Sequence, residues 1–267
     1  MIFAQHCLTS VAASVAQILG VEPPLCAGAA NPALVQLAQE SFSGKAADRV
    51  LLYNPDAIAH YLYEKYTDAF LPVLRYTQLA QPLQSVMPSV TPVCFASMYS
   101  GAMPEQHGIR AYVKPVLTID TLFDALLRAG KKPAIVSTKG DSISMIFLNR
   151  EMDYFLYDTV EEVNRKAAEL IAKNEHDLLV VYNGDYDATM HRFGPESPEA
   201  LTVLDKNAVA FASLAQLTEQ HWAKQNTLLA FAPDHGCHPI DGGLGSHGLE
   251  MEEDMRIIHF YGARAGK

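Results

Sequence analysis

The stretch Asp177-Leu-Leu-Val-Val-Tyr182-Asn-Gly-Asp-Tyr-Asp187-Ala-Thr-Met-His191 joins a short apolar run to acidic residues and a histidine. An uninterrupted apolar run of this length is typical of a strand that is buried on both faces of a parallel sheet. If the segment after it is helical, Asp187 and His191 lie four residues apart on one helix face. The stretch therefore predicts a buried strand that ends at a polar site.

Two other apolar runs end in the same way. The run 49–53 precedes Asp56, and the run 227–232 precedes Asp234 and His235. In open α/β sheets, ligands bind just outside the carboxyl ends of the strands. Three strands that deliver carboxylates to one edge of a sheet therefore indicate a binding site.

The rest of the chain alternates between apolar runs and segments with helical spacing. Further strands are predicted at 132–137 and 255–261, and helices at 57–66, 121–129, 159–173 and 200–225. This alternation predicts an α/β fold in which a mostly parallel central sheet carries helices on both faces. We expect one domain over residues 1–267, with an N-terminal helix within residues 1–25 packed on it.

Composition excludes several classes of protein. The net charge of −10 and the pI near 5.4 argue against a basic nucleic-acid-binding surface. The four cysteines form no C-x-x-C pair, which argues against a disulfide scaffold or a zinc finger. We therefore expect free thiols, a cytoplasmic location, and no nucleic-acid or membrane partner.

Two further segments are ambiguous when each is taken alone. Thr91-Pro92 predicts a helix start with Thr91 as N-cap and Pro92 in the first turn. Free N–H groups at such a start attract anions, but an ordinary cap has the same sequence. His247 stands between glycines in Gly245-Ser246-His247-Gly248, which suits either a ligand on a tightly bent backbone or a simple loop residue.

Together, in this order, these segments resemble the alkaline phosphatase superfamily in its type I phosphodiesterase/nucleotide pyrophosphatase branch. The resemblance runs from about residue 49 to the C-terminus. The matching residues are Asp56; Thr91 with Ser100-Gly101, Pro104 and His107-Gly108; Asp187, His191 and Gly194; Asp234-His235-Gly236; and His247-Gly248.

The resemblance implies an alkaline-phosphatase-like fold without a large cap domain and a site for two divalent metal ions. One ion would be held by Asp187, His191 and His247. The other would be held by Asp56, Asp234, His235 and the Thr91 oxygen. We expect zinc because of the histidines, with manganese as the alternative.

The implied activity is hydrolysis of a small phosphorylated substrate through a phospho-threonine intermediate on Thr91. A threonine hydroxyl is a weak nucleophile at neutral pH and needs activation, which coordination to a cation can supply. Cys94, one helical turn after Thr91, and Lys139, after a predicted strand, are candidate substrate-binding residues. A thiol is a weak hydrogen-bond donor, so backbone N–H groups would have to supply much of the stabilisation of the phosphoryl oxygens.

Two alternatives stay open at this point. A phosphotransferase or mutase could use the same metal core, although such enzymes normally carry a serine nucleophile and an inserted second domain. A metal-binding module without turnover would keep the same ligand set. A sulfatase is disfavoured, because the sequence after Thr91 lacks the C/S-x-P-x-R pattern.

Overall fold

The computed structural model describes residues 4–267. It contains ten strands. They are β1 (His6–Cys7), β2 (Arg49–Pro55), β3 (Leu79–Gln84), β4 (Pro133–Thr138), β5 (Asp153–Tyr157), β6 (Leu178–Asn183), β7 (Thr227–Phe231), β8 (His238–Ile240), β9 (Leu244–Ser246) and β10 (Arg256–Arg264).

Eight of these strands form one sheet in the order β1-β3-β10-β7-β2-β6-β4-β5. The five strands from β7 to β5 run parallel, as the apolar runs predicted. Strand β10 is antiparallel to both of its neighbours, and β1 pairs in parallel with β3 at the edge. The expected mostly parallel sheet is confirmed, and β8 and β9 form a separate hairpin.

Within residues 4–267, twelve α-helices and one 3₁₀-helix, Thr67–Phe70, connect the strands. The α-helices are α1 (Ser10–Ile18), α2 (Pro32–Ser41), α3 (His60–Lys65), α4 (Leu71–Leu74), α5 (Thr91–Ser100), α6 (Pro104–His107), α7 (Leu122–Arg128), α8 (Ser142–Ile146), α9 (Val160–Lys173), α10 (Asp185–Phe193), α11 (Pro198–His221) and α12 (Glu252–Met255). Among the described residues, the segments between sheet strands form these helices and loops and no large cap.

Alternate residues of each central strand enter opposite cores. In β2, Val50 and Leu52 pack with helices α1, α5, α7 and α8, whereas Leu51 and Tyr53 pack with α9, α10 and α11. Each such large apolar side chain contributes about 1.5–3 kcal/mol when it is fully buried. Helices therefore cover both faces of the sheet, as expected.

Local chemistry explains the best-defined helix. Thr159 precedes α9, its side chain accepts a hydrogen bond from the N–H of Glu162, and the Glu162 side chain caps back. Glu161 and Glu162 lie in the first turn and Lys173 in the last, which matches the helix dipole.

Several predicted bounds need correction. The N-terminal helix begins only at Ser10, because residues 6–7 pair with β3 instead, and residues 1–3 lie outside the described chain. The predicted helix 57–66 forms only over His60–Lys65, because Ala57 has a φ of +62° and Ala59 bridges to Ile257.

No helix of the described chain is both long and apolar enough to cross a membrane.

Candidate active site and metal centre

The carboxyl ends of the three central strands meet at one edge of the sheet. Asp56 follows β2, the α10 helix that carries Asp187 and His191 follows β6, and Asp234 follows β7. Seven side chains named from the sequence lie together there. They are Thr91, Asp56, Asp187, His191, Asp234, His235 and His247. Except for Thr91, they form two groups, each with its ligand atoms within 4.8 Å of one another.

The first group is Asp187, His191 and His247. The Nε2 atoms of the two histidines lie 3.1 Å apart, and each is 3.3 Å from Asp187 Oδ1. Their Nδ1 atoms lie 2.9 and 3.0 Å from the carbonyl oxygens of Gly245 and Ser89. A carbonyl can only accept, so an imidazole at either position that carries one proton donates it from Nδ1 and turns a lone pair on Nε2 towards Asp187. Three acceptors that face one another in this way suit a cation.

The second group is Asp56, Asp234 and His235. His235 Nε2 lies 3.3 Å from Asp56 Oδ1 and 3.5 Å from Asp234 Oδ2. Its Nδ1 is 2.9 Å from the Gly236 carbonyl, so here too the lone pair on Nε2 faces the carboxylates. The Thr91 hydroxyl lies 3.3 Å from both Asp56 Oδ2 and His235 Nε2. The rings of His235 and His247 are 4.2 Å apart, so the two groups adjoin.

Each of the three carboxylates has an oxygen without a donor. Asp56 Oδ1, Asp187 Oδ1 and Asp234 Oδ2 are buried and have no hydrogen-bond partner. Within residues 4–267, their ion-pair partners are histidines and not lysine or arginine. Burial raises the pKa values of Asp56 and Asp234, and the neighbouring carboxylates raise them further. Buried carboxylates of this kind need a counter-charge, and two divalent cations fit the oxygen and nitrogen donors present.

Thr91 is presented by the start of helix α5. Val90 is the N-cap, with extended backbone at φ −129° and ψ 145°, and Thr91 is the first helical residue with Pro92 second. The expectation that Thr91 itself is the cap was therefore wrong by one residue. Because its hydroxyl caps no N–H, it is free to face Asp56 and His235.

Cys94 lies one turn further along α5 and is fully buried. Its Sγ is 3.2 Å from Ser85 Oγ, and Ser85 donates its own proton to the Asp234 carbonyl at 2.7 Å. The thiol therefore donates to Ser85, and burial raises its pKa well above the usual range. Cys94 therefore supports the backbone at Asp234 through Ser85. Its role in substrate binding stays a prediction.

The Asp-His-Gly turn depends on a close backbone approach. A Cβ at Gly236 would lie 2.0 Å from the Glu253 carbonyl oxygen. The Gly236 N–H donates to the Asp254 carbonyl at 2.8 Å, while the Asp254 side chain contacts His238 Nδ1 at 2.7 Å and the Leu249 N–H at 2.8 Å. Only glycine fits here, and Asp254 ties the segment that carries His247 to the turn that carries His235.

Tyr182 belongs to the site, although its place in the sequence predicts only the end of an apolar strand. Its buried hydroxyl donates to Asp56 Oδ2, the same oxygen that accepts from Thr91. These two donors occupy one carboxylate oxygen and leave Oδ1 turned towards His235. The tyrosine therefore sets the rotation of Asp56.

Replacing Tyr182 with phenylalanine is expected to weaken metal binding by about 10-fold, because supporting hydrogen bonds to ligands typically contribute 10–100-fold. Isothermal titration of the metal-free protein with zinc measures this. Tyr154→Phe is the matched control, since its hydroxyl donates to the Phe147 carbonyl away from the site. Equal zinc affinity in Tyr182→Phe and wild type would show that Asp56 needs no such support.

A cleft of about 450 Å³ opens on the candidate metal groups, and Asp56 and Asp187 line it. Lys139 lies at this cleft, but it is exposed and its Nζ is 2.9 Å from Asp158 Oδ1. Asp141 also lines the cleft, and burial together with the charge of Asp56 raises its pKa to about 7. Tyr112, Asp141 and Ser142 were not named from the sequence, because they come from loops that give no local signal of a site.

A larger cleft, of about 700 Å³, lies elsewhere and contains two arginines. Arg128 pairs with Asp120, and Arg150 pairs with Asp124 and with backbone carbonyls. Both guanidinium groups are thus occupied, and none of the seven site residues lines this cleft. The smaller cleft is therefore the better candidate for substrate.

Comparison with known proteins agrees with this site. Residues 141–261 match the model of the type I phosphodiesterase / nucleotide pyrophosphatase family. This segment contains Asp187, His191, Asp234, His235 and His247, whereas Asp56 and Thr91 precede it. No curated protein matches the chain.

Solved structures extend the likeness to most of the chain. Murine ectonucleotide pyrophosphatase / phosphodiesterase 5, as an inactive form in complex with AMP, is 19% identical with a TM-score of 0.58, over 73% of this chain and 59% of that one. The human protein of the same name is 19% identical with a TM-score of 0.57, over 72% of this chain and 58% of that one. Phosphonoacetate hydrolase from Sinorhizobium meliloti, in complex with phosphonoformate, is 17% identical with a TM-score of 0.55, over 74% of this chain and 59% of that one.

This chain therefore spans under two thirds of the length of these proteins. At such identities the likeness establishes the fold. The expected alkaline-phosphatase-like α/β fold is confirmed, and so is the resemblance of the chain to the type I phosphodiesterase / nucleotide pyrophosphatase family.

Proposed function

We propose that the protein is a metal-dependent phosphoester hydrolase that binds two divalent ions and uses Thr91 as its nucleophile. One observation carries the proposal: two adjoining groups of ligand residues contain three buried carboxylate oxygens without a donor, and the Thr91 hydroxyl lies 3.3 Å from Asp56 in one of these groups. The resemblance to a phosphodiesterase family and to neighbours that bind AMP and phosphonoformate supports a small phosphorylated substrate.

The ions would be held by Asp187, His191 and His247 on one side and by Asp56, Asp234, His235 and Thr91 on the other. When bound, they would favour ionisation of the Thr91 hydroxyl and neutralise charge on the phosphoryl oxygens. The histidine-rich donor set favours zinc, with manganese as the alternative.

The chain's own groups then account for the reaction. Thr91 Oγ1 attacks phosphorus, its proton passes towards Asp56 Oδ2 at 3.3 Å, and the bond from phosphorus to the leaving oxygen breaks. That oxygen takes up a proton, equivalent to the one lost by Thr91, and leaves as the alcohol. In the first turn of α5, Pro92 has no N–H and the N–H groups of Val93 and Cys94 donate to the Val90 carbonyl at 3.0 Å. The backbone N–H of Thr91 is therefore the group of this turn that can hold a phosphoryl oxygen. Water then attacks the phospho-threonine, releases the phosphate product and regenerates the hydroxyl. Such a transfer depends chiefly on positioning and charge.

The direct test is an assay of zinc- and manganese-loaded protein on p-nitrophenyl phosphate and bis-p-nitrophenyl phosphate. We expect metal-dependent release of p-nitrophenol, and faster release from the diester would favour the phosphodiesterase branch. An absence of activity on both, with two ions bound, would contradict the hydrolase and favour a metal-binding module.

A further inference from the structure

The cleft beside the candidate metal groups is acidic beyond the ligands themselves. Asp141, Asp158, Glu161 and Asp185 all line it, together with a single lysine, Lys139. Since Lys139 is paired with Asp158, three carboxylates in the lining, besides those of the candidate ligands Asp56 and Asp187, have no cation among the lining residues. Two lysines lie nearby outside the lining. Lys114 donates to the Gly140 carbonyl at 2.7 Å and also acts on Asp141, and Lys206 acts on Asp185.

Two polar groups in the same wall make no hydrogen bond of normal geometry. Asp141 Oδ2 is buried and has no donor, and Ser142 Oγ, in a side chain that is only 2% exposed, is also without a partner. The Tyr112 hydroxyl, which also lines the cleft, interacts with Ser142. Buried polar atoms normally find partners, so orphaned ones in a cleft indicate where a ligand group belongs.

The chemistry of the missing partner follows from what the wall presents. In its ionised form a carboxylate only accepts hydrogen bonds, and an alkylammonium group, with three donors, no acceptor and a positive charge, favours that form of Asp141. An anionic group at this position would face Asp141, Glu161 and Asp185, and like charges in a partly closed site disfavour binding. A cleft of about 450 Å³ has room for a small organic group beside the phosphoryl group.

We propose that this cleft selects phosphoesters whose organic group carries an ammonium, a class that we call aminoalkyl phosphoesters. The inference rests on the proposed function, because it places the phosphoryl group at Thr91 and the metal ligands. Asp141 and Ser142 would receive the ammonium, and Asp185 and Glu161 would supply the surrounding negative charge.

Three non-hydrolysable phosphonates of matched length test this: 2-aminoethylphosphonate, propylphosphonate and 2-carboxyethylphosphonate. Their dissociation constants for the zinc-loaded protein are measured by isothermal titration calorimetry. We expect the aminoethyl compound to bind about fivefold tighter than the propyl compound, and the carboxyethyl compound to bind more weakly still. The preference should shrink as sodium chloride is raised.

Variants then test whether Asp141 causes the preference for the aminoethyl compound. Asp141→Asn keeps the shape of the side chain and should reduce the preference for the aminoethyl over the propyl compound to less than about twofold. Glu40→Gln on helix α2, where Glu40 accepts from Gln36, is the matched control and should keep the full preference. Equal binding of the aminoethyl and propyl compounds, or a preference unchanged in Asp141→Asn, would overturn the inference.

The same titrations separate this inference from the proposed function. If no phosphonate binds while two zinc ions are bound, the phosphoryl site itself is wrong and the proposed function fails. If all three bind equally, the phosphoryl site stands and only the ammonium selection fails.

Discussion

Replacing Thr91 with alanine is expected to lower the hydrolysis of bis-p-nitrophenyl phosphate by about 10³-fold or more, because removal of a nucleophile removes the covalent route. The other hydroxyl that donates to Asp56 is a poor substitute for the proposed nucleophile, because Tyr182 is held by that hydrogen bond and its burial raises the pKa of its hydroxyl. Initial rates with saturating zinc measure the effect. Equal rates in wild type and Thr91→Ala would refute the nucleophile assignment.

Thr91→Ser is the matched control, since it keeps the hydroxyl and loses only a methyl group. We expect its rate to stay within about tenfold of wild type. Rapid acid quenching during turnover should leave one added phosphoryl group on the peptide that contains residue 91 in wild type and Thr91→Ser, and none in Thr91→Ala. A phosphoryl group on another residue would move the nucleophile elsewhere.

The fold stability of Thr91→Ala provides a further check. The side chain is buried, but Asp56 Oδ2 keeps its hydrogen bond from Tyr182 after the substitution. We therefore expect the free energy of unfolding to change by only about 1 kcal/mol. A loss of activity with an intact unfolding transition would then reflect the chemistry and not the fold.

The central strands and the Asp187–His191 helix could be predicted because their signals are local. An apolar run followed directly by a carboxylate places that carboxylate at a strand end, wherever the strand later pairs. Likewise, a spacing of four residues puts Asp187 and His191 on one face of α10. The position of Asp56 beside Asp234 then follows from the parallel pairing of β2 with β7.

The edge of the sheet could not be predicted in the same way. Strand β3 contains Pro82 and is only half buried, so its sequence lacks the apolar run of the central strands. Its antiparallel pairing with β10 depends on contacts 170 or more residues apart, such as Leu83 with Ile257. Direction and order at this edge are therefore properties of the packed chain.

Parts of the site were hidden for a related reason. Tyr182 and the residues before it form one apolar run, and nothing local shows that its hydroxyl reaches Asp56 across the β2–β6 pair. The cleft wall joins Tyr112, Asp141 and Asp185 from three separate segments. Sequence patterns reveal ligands that share a motif and miss groups that meet only through tertiary packing.

Removing the metal ions is expected to abolish turnover and to destabilise the protein. Dialysis against a chelator should release two ions per chain, as measured by elemental analysis, and zinc should restore both ions and activity. A ligand at 100 times its dissociation constant stabilises by about 2.7 kcal/mol, which for a chain of this size raises the thermal midpoint by about 5 °C or more. Full activity in the metal-free protein would contradict the two-metal proposal.

Single substitutions should each weaken one of the two metal sites and leave the other intact. Asp187→Asn removes a ligand from one group and Asp234→Asn from the other, and each is expected to leave about one tightly bound ion. His221→Ala, at the exposed end of α11, is the control and should keep both ions. Two ions retained at full affinity in Asp187→Asn would show that the ligand set is wrong.

We also expect the stabilisation of the fold by metal to depend on pH. The direction of this dependence follows from the pKa values of two carboxylates in the site, Asp56 and Asp234. Burial raises the pKa values of Asp56 and Asp234 above their usual range, so the metal-free folded state binds more protons there than the unfolded state. For these two groups, metal-free stability therefore falls as pH rises above about 4 towards the raised pKa values. Metal binding needs the ionised carboxylates and removes this penalty. We accordingly expect the zinc-induced rise in the thermal midpoint to be larger at pH 7.5 than at pH 5.5. An equal or smaller rise at the higher pH would mean that these carboxylates do not hold the ions. Carboxylates with raised pKa values must lose protons when they bind zinc, so zinc binding through them has to strengthen as pH rises.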